Sequence, residues 1–267
     1  LKLADFVVTE AGFGSDLGAQ KFMDITAVNG QFKPSAVVLV ATVRALKLHG
    51  HELYENLKTE NLEALKAGLP NLKKHTEILE TYGVPFVVAL NRFSSDTTAE
   101  IEAVSTWCAD NHVAFALNES WEFGSSGAEA LAAKVLELMQ QPNHYHSIID
   151  PASSVKTKIE TIATTIYGAA KIEYSESALR NLEDIKRLEL DHLNVCIAKT
   201  QSSISDDPKL LGDPRGFTLK IREIRLSVGA GFAVAIAGPI MTMPGLSKDP
   251  AAYHIDVDKQ GKITGLF

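Results

Sequence analysis

A glycine-rich stretch near the start of the chain has the composition of an anion-binding turn. Gly12–Gly18 (GFGSDLG) follows an apolar run at 7–9, which we predict to be a strand, and precedes a predicted helix. Successive backbone N–H groups in such a turn can hold a phosphate group. A Rossmann dinucleotide site also needs an acidic residue about 20 positions further on, but the chain has no Asp or Glu between Asp24 and Glu52. Three alternatives remain: a tight strand-to-helix turn, a nucleotide or anion contact, and an NAD site, which the missing acidic residue disfavours.

Two further loops carry aromatic side chains shortly after predicted strands. Phe93 follows the apolar run 84–90, and Trp121 follows the run 113–117. Ligands of open parallel sheets bind at the carboxyl ends of the strands, where two aromatic rings can clamp a flat heterocycle by stacking. The alternative is that both rings cap the core beneath a long loop. Trp107 differs from both, because its helical spacing with apolar neighbours predicts ordinary packing.

Other residues that could catalyse a reaction or bind a metal form no recognisable motif. The pairs His49/His51 and His144/His146 have metal-ligand spacing but no third ligand nearby, so we predict solvated loop histidines and no metal site. The two cysteines stand far apart and outside any CxxC motif, which fits a reducing compartment. The sequence contains neither a GxSxG nucleophile motif nor a GxxxxGK[ST] loop, so a lysine acting on ATP phosphates is expected outside this chain.

The elements that must position these residues alternate between strands and helices in the first part of the chain. Three continuous apolar runs are typical of strands buried on both faces of a parallel sheet: 36–40, 84–90 and 113–117. Leucine spacing over 52–82 predicts helices that break near Gly68 and Pro70. Asp96 is the predicted N-cap of the next helix. This alternation predicts right-handed βαβ crossovers.

The pattern changes at Gln141–His144, which we predict to be a domain boundary. Residues 1–143 are predicted to form an α/β domain, with a mostly parallel sheet, flanking helices and the cleft loops. Residues 144–267 are predicted to form a smaller α+β domain. Its predicted helices cover 152–168 and 177–192, and its predicted strands lie near 194–198, 217–227 and 232–237.

Charge and hydropathy exclude two classes of partner. The chain has 26 Lys and Arg against 33 Asp and Glu, a net charge of −7, so phosphate-driven binding of nucleic acid is not expected. The uncharged run Leu226–Ser247 is 22 residues long, which is enough to cross a bilayer. Its glycines and prolines divide it into pieces of strand length. We therefore predict buried strands with a tight loop, and no membrane partner.

Taken together, these segments resemble the formate–tetrahydrofolate ligase family. The resemblance covers essentially the whole chain in order, and its final block is specific to the family. It is carried by these stretches: ADFVVTEAGFGSDLGAQKFMDI, KPSAVVLVATVRALKLHG, NLKKH, YGVPFVVALNRF, the residues Trp121–Gly127, IREIRLSVGAGFAVAIAGPIMTMPGL and IDVDKQGKITGLF. The family's P-loop lies upstream of the segment matching Leu1, so the resemblance implies that this chain is the C-terminal half of the enzyme.

The resemblance implies a three-substrate ligation. ATP phosphorylates formate to formyl phosphate, and N10 of tetrahydrofolate attacks that anhydride to give 10-formyltetrahydrofolate. It further implies a P-loop-NTPase-like sheet and a folate site at positions matching Phe93, Leu117 and Trp121. The turn with Glu10, Gly12, Gly14 and Ser15 is implied to line the same cleft, near the nucleotide and the formyl phosphate.

The same resemblance implies the cofactors and partners. Mg²⁺ accompanies ATP, and a monovalent cation (K⁺ or NH₄⁺) activates many members. The implied assembly is a cytoplasmic homo-oligomer, a homotetramer, that includes the N-terminal half with the catalytic P-loop lysine. Two alternatives stay open: a non-catalytic module that binds folate or nucleotide without turnover, and a Rossmann-type oxidoreductase.

Overall fold

A three-stranded parallel sheet forms the centre of the N-terminal part in a computed structural model, which describes residues 2–240, 248–261 and 263–265. The strands are β1 (Val37–Ala41), β2 (Phe86–Asn91) and β3 (Ala114–Asn118). They lie in the order β1-β2-β3, with Val40 opposite Ala89 and Leu90 opposite Leu117. The prediction of an α/β fold with a parallel sheet is confirmed. Burial on both faces is wrong for the edge strand β1, because Val38 and Val40 are 41% and 57% exposed, whereas the central strand β2 is buried.

Helices connect and flank these strands. They are α1 (15–30, which includes the π-helical segments Ser15–Ala19 and Phe22–Ala27), α2 (Val43–His49), α3 (Leu62–Tyr82), α4 (Thr98–Asp110) and α5 (Glu129–Leu138). The predicted breaks near Gly68 and Pro70 are wrong, because α3 runs through both residues. A Cβ atom on Gly68 would collide with the backbone carbonyl of Leu46 in α2. The glycine therefore lets α2 and α3 pack closely, and this packing stabilises a helix that local propensity disfavours.

The N-cap predicted for α4 is also wrong by one residue. Thr97 caps the helix in a capping box, in which its hydroxyl accepts from the Glu100 N–H and the Glu100 carboxylate accepts from the Thr97 N–H. Glu100 is fully buried and pairs with Lys47 of α2 at 2.8 Å. These contacts hold the start of α4, and with it the loop that precedes the helix.

The predicted strand at 7–9 is absent. Val7, Val8 and Thr9 are exposed and form no strand. An apolar run becomes a strand only when a neighbouring strand completes its hydrogen bonds, and none of the described strands pairs with this run. The glycine-rich turn therefore follows an exposed segment without regular secondary structure.

The C-terminal part contains a four-stranded mixed sheet, as the predicted α+β pattern indicates. Its strands are β4 (Lys171–Tyr174), β5 (Asn194–Ala198), β6 (Thr218–Ser227) and β7 (Phe232–Ala237), in the order β4-β6-β7-β5. Helices α6 (Val155–Thr161, continued by Ile162–Ile166) and α7 (Glu176–Arg187) accompany it, and β8 (Asp256–Val257) pairs with β9 (Ile263–Thr264). In the run Leu226–Ser247, β7 confirms one buried strand, whereas positions 241–247 of the predicted loop and strand lie outside the described residues.

One hydrophobic cluster joins residues from both sides of the predicted boundary at 143/144. Met23, Ile78 and Tyr82 from the first part pack with residues such as Ile159 and Leu219 from the second. A second cluster lies between the parallel sheet, α2, α3 and α4, and Trp107 packs against it as predicted. The division into two domains stays a prediction.

Candidate functional site: an aromatic edge and a buried polar anchor

The carboxyl ends of β2 and β3 bring the two aromatic loops together. The strands stay in register to their last residues, with Asn91 opposite Asn118. Beyond that pair, the Arg92 N–H donates to the Asn118 carbonyl at 3.0 Å, and the Asn118 side-chain amide donates to Asn91 Oδ1 at 2.7 Å. Arg92 also forms an ion pair with Glu119 across the two loops. The loops of Phe93 and Trp121 therefore start side by side, as the order of the strands predicts.

The backbone and the ring of Phe93 are both held by neighbours. Its N–H donates to the Asp96 carboxylate at 2.9 Å, so Asp96 closes the loop instead of capping α4. Burial is the main cause that raises the pKa of Asp96. The Arg44 guanidinium lies 4.0 Å from the centre of the Phe93 ring, and 37% of Phe93 remains exposed. The ring is fixed from one side and open to solvent in part.

Trp121, in contrast to Phe93, is almost completely exposed to solvent. It lies in the short helical turn Ser120–Phe123 and is 93% exposed. The loop around it is closed at its base, where the Glu119 N–H donates to the Gly127 carbonyl at 3.0 Å. Leu117 is half-buried against the cluster between the sheet and the helices. The edge therefore combines a supported ring, an apolar strand end and a free indole, which together suit a flat heterocyclic ligand.

The glycine-rich turn opens α1, and its residues divide between solvent and the interior. Glu10 and Gly12 are exposed, whereas Ser15 is buried. The Ser15 hydroxyl forms a 2.7 Å hydrogen bond with His75 Nδ1 of α3, and burial lowers the pKa of His75. A Cβ atom on Gly14 would contact His75 Cε1 at 2.7 Å, so glycine is needed there for close packing.

A buried ion pair anchors the same turn to the second sheet. Lys199, directly after β5, donates to Asp16 Oδ2 at 2.6 Å and to the Ser203 carbonyl at 2.6 Å. Its ammonium also lies 4.9 Å from the centre of the Tyr167 ring. Burial is the main cause that lowers the pKa of Lys199, and Asp16 opposes it. Sequence reasoning missed this pair, because its members are 183 positions apart and neither carries a recognisable motif.

The turn does not meet the structural condition of a Rossmann fingerprint, which requires a preceding strand. Its Ser15 and Asp16 side chains make their hydrogen bonds with α3 and the end of β5. Among the described residues, none of those bonds reaches the loops of Phe93 and Trp121. The predicted cleft shared by the turn and the folate site stays a prediction.

The histidine pairs do not form a metal centre in the described part of the chain, where no group of three His, Cys, Asp or Glu side chains has a suitable arrangement. His49 differs from a solvated loop histidine, because its Nδ1 accepts from the Gly212 N–H at 3.1 Å. Burial lowers the pKa of His49 to about 4. Within the same residues, no helix has the length and hydropathy needed to cross a membrane.

Comparison with known proteins gives one consistent result. The family model described as formate–tetrahydrofolate ligase matches residues 1–267. A formate–tetrahydrofolate ligase from Lactiplantibacillus plantarum is 52% identical over 267 residues, and one from Bacillus licheniformis is 51% identical over 267. One from Staphylococcus aureus is 52% identical over 265 residues, which is 99% of this chain. In each comparison the match covers 48% of the relative, so the chain spans about half the length of these curated relatives.

Proposed function

The chain belongs to the formate–tetrahydrofolate ligase family, and we propose that the protein takes part in the ATP-dependent ligation of formate to tetrahydrofolate. Formate is a poor electrophile, and phosphorylation by ATP converts it to formyl phosphate, which has a good leaving group. N10 of tetrahydrofolate then attacks the formyl carbon, a C–N bond forms, and phosphate leaves. The product is 10-formyltetrahydrofolate.

This chain's part in that reaction is to bind and orient the folate. Formyl phosphate hydrolyses readily, so the site must hold the amine close to the anhydride and exclude water. Phe93 and Trp121 would stack on the pterin from adjacent loops, with Leu117 beside them. Stacking orients N10 without a charged nucleophile from the protein.

The glycine-rich turn would contact the nucleotide or formyl phosphate through its exposed portion. Glu10 and Gly12 face solvent, and backbone N–H groups near a helix N-terminus suit an anionic oxygen. Gly14 and Ser15 would serve by packing, because both lie against His75. In this proposal the buried contacts hold the turn, and the exposed residues meet the ligand.

ATP, its Mg²⁺ and a K⁺ or NH₄⁺ ion complete the proposed reaction as substrates and activator. A lysine in a GxxxxGK[ST] loop, a motif that this sequence lacks, would supply the phosphate chemistry from a further segment of the assembly. We also propose a cytoplasmic homotetramer. These points rest on the family alone.

The observation that carries the proposal is the almost complete exposure of Trp121 in a loop that starts next to the loop of the supported ring of Phe93. Trp121→Ala removes one stacking ring, which contributes about 0.5–1.5 kcal/mol beyond area burial. The dissociation constant for tetrahydrofolate should therefore rise roughly tenfold. Isothermal titration calorimetry under anaerobic conditions measures it. In the assembly that also contains the segment with the phosphate-binding lysine, the KM for tetrahydrofolate in an ATP- and formate-dependent assay should rise in parallel.

Trp107→Ala is the matched control, because this tryptophan packs against the core. It should lower the melting temperature and leave the folate dissociation constant of the folded protein unchanged. Trp121→Ala should leave the melting temperature within a degree or two, since little of the ring is buried. A folate defect in Trp107→Ala, or none in Trp121→Ala, would show that the pterin does not bind at this edge.

A further inference from the structure

Arg44 contacts the aromatic edge, and the proposed function assigns it no role beyond supporting the ring of Phe93. It lies in α2, the helix that follows β1, and its guanidinium carbon is 4.0 Å from the centre of the Phe93 ring. At this distance the planar group covers one face of the ring and is attracted by its π electrons. One face of Phe93 is therefore occupied by a protein side chain.

The position of Arg44 is held by a second contact. Its Nη2 donates to Ser95 Oγ at 3.2 Å, and Ser95 lies two residues after Phe93 in the same loop. Its Nε, in contrast, is buried and has no hydrogen-bond partner among the described residues. A guanidinium with an unsatisfied buried N–H is unfavourable for stability alone, so its placement over Phe93 points to a role at the ring.

The part of Phe93 that remains exposed indicates where a ligand can stack. Because Arg44 covers one face and Asp96 holds the backbone N–H at 2.9 Å, the ring has little freedom to turn. Phe93 is 37% exposed, so the ring face that Arg44 leaves uncovered can receive a ligand.

We propose that Arg44 is a positioning residue of the folate site: it supports one face of Phe93, so that the pterin stacks on the opposite face. This inference rests on the proposed function and adds to it the face of Phe93 that the ligand meets. Arg44 acts through Phe93 and does not touch the ligand.

The test is a double-variant cycle on the dissociation constant for tetrahydrofolate. Arg44→Ala should raise it about threefold to fivefold, the size expected from losing a cation–π contact. Arg44→Lys, which keeps the charge but not the planar group, should give a dissociation constant between those of the unaltered protein and Arg44→Ala. In a Phe93→Ala background, Arg44→Ala should cause no further change. Arg187→Ala is the control, because Arg187 is exposed and pairs with Asp184; it should have no effect.

Each result has a defined meaning. An unchanged dissociation constant in Arg44→Ala, with the Trp121→Ala defect present, overturns the role of Arg44 and leaves the proposed function standing. Tighter binding of tetrahydrofolate by Arg44→Ala also overturns the role of Arg44, because Arg44 would then cover the face of Phe93 that the ligand needs. If Arg44→Ala weakens binding by the same factor in the Phe93→Ala background, Arg44 has a general structural role and does not act through Phe93, which overturns the proposal. If neither Arg44→Ala nor Trp121→Ala changes binding, the folate site itself is misplaced. Arg44→Lys and Arg44→Gln provide the comparison if Arg44→Ala does not fold.

Discussion

Removing the positive charge of Lys199 should strongly destabilise this chain. The side chain of Lys199 is 0% exposed and that of Asp16 is 6% exposed, with 2.6 Å between Nζ and Oδ2. Lys199→Met keeps the aliphatic stem but leaves a buried carboxylate without a counter-charge, which costs about 3–5 kcal/mol. The Ser203 carbonyl also loses its donor. Since domains are stable by about 5–15 kcal/mol, the loss is a large part of the total.

Thermal and urea unfolding, followed by circular dichroism, measure the effect. At about 2–4 °C per kcal/mol for a chain of this size class, the melting temperature should fall by about 6–20 °C. Lys171→Met is the matched control, because Lys171 and Glu173 are 67% and 50% exposed at 3.0 Å. An exposed pair contributes about 0–1 kcal/mol, so this variant should unfold almost like the unaltered chain.

The double variant Asp16→Leu/Lys199→Met separates charge from shape. Replacing both members of a buried pair by apolar groups is often neutral or stabilising, so the double variant should regain much of the stability that Lys199→Met loses. The reasoning is refuted if Lys199→Met costs less than about 1 kcal/mol, or if the double variant is no more stable than the single one.

Two further predictions concern α2 and its contact with α3. His49 has a pKa lowered to about 4, chiefly by burial, whereas the unfolded chain protonates it near pH 6.5. The free energy of unfolding should therefore fall as the pH drops from about 6.5 towards about 4. His49→Asn keeps an acceptor for the Gly212 N–H and should show a shallower fall with pH in urea titrations. Equal slopes for the variant and the unaltered chain would contradict this. Gly68→Ala, which favours a helix elsewhere by about 1 kcal/mol, should instead destabilise the chain by about 1–3 kcal/mol, because its Cβ would meet the Leu46 carbonyl. Ala67→Gly on the exposed side of α3 is the control, with a loss of at most about 1 kcal/mol.

The sequence alone predicted the parallel strands and the meeting of the two aromatic loops. Strands of parallel sheets are commonly continuous apolar runs, and this local signal located β1, β2 and β3 to within one or two residues, although β1 is in part exposed. Because β2 and β3 are consecutive and parallel, the loops of Phe93 and Trp121 had to start at one edge. Both results need only local composition and the rules of chain connection.

Tertiary structure decided the cases in which local preference and packing compete. Gly68 and Pro70 each disfavour a helix, yet α3 continues because α2 packs closely against Gly68. The run at 7–9 has the composition of a strand but no pairing partner among the described residues. A strand depends on a second segment, so composition cannot establish it.

Tertiary structure also decided which side chains support the candidate site. Asp16 meets Lys199 across 183 positions and Ser15 meets His75 across 60, while Arg44 reaches Phe93 from a different helix. A sequence shows which residues can carry charge or donate hydrogen bonds. The partners of Asp16, Ser15 and Phe93 are determined by how the helices pack on the two sheets, because buried polar groups must find their counterparts in space.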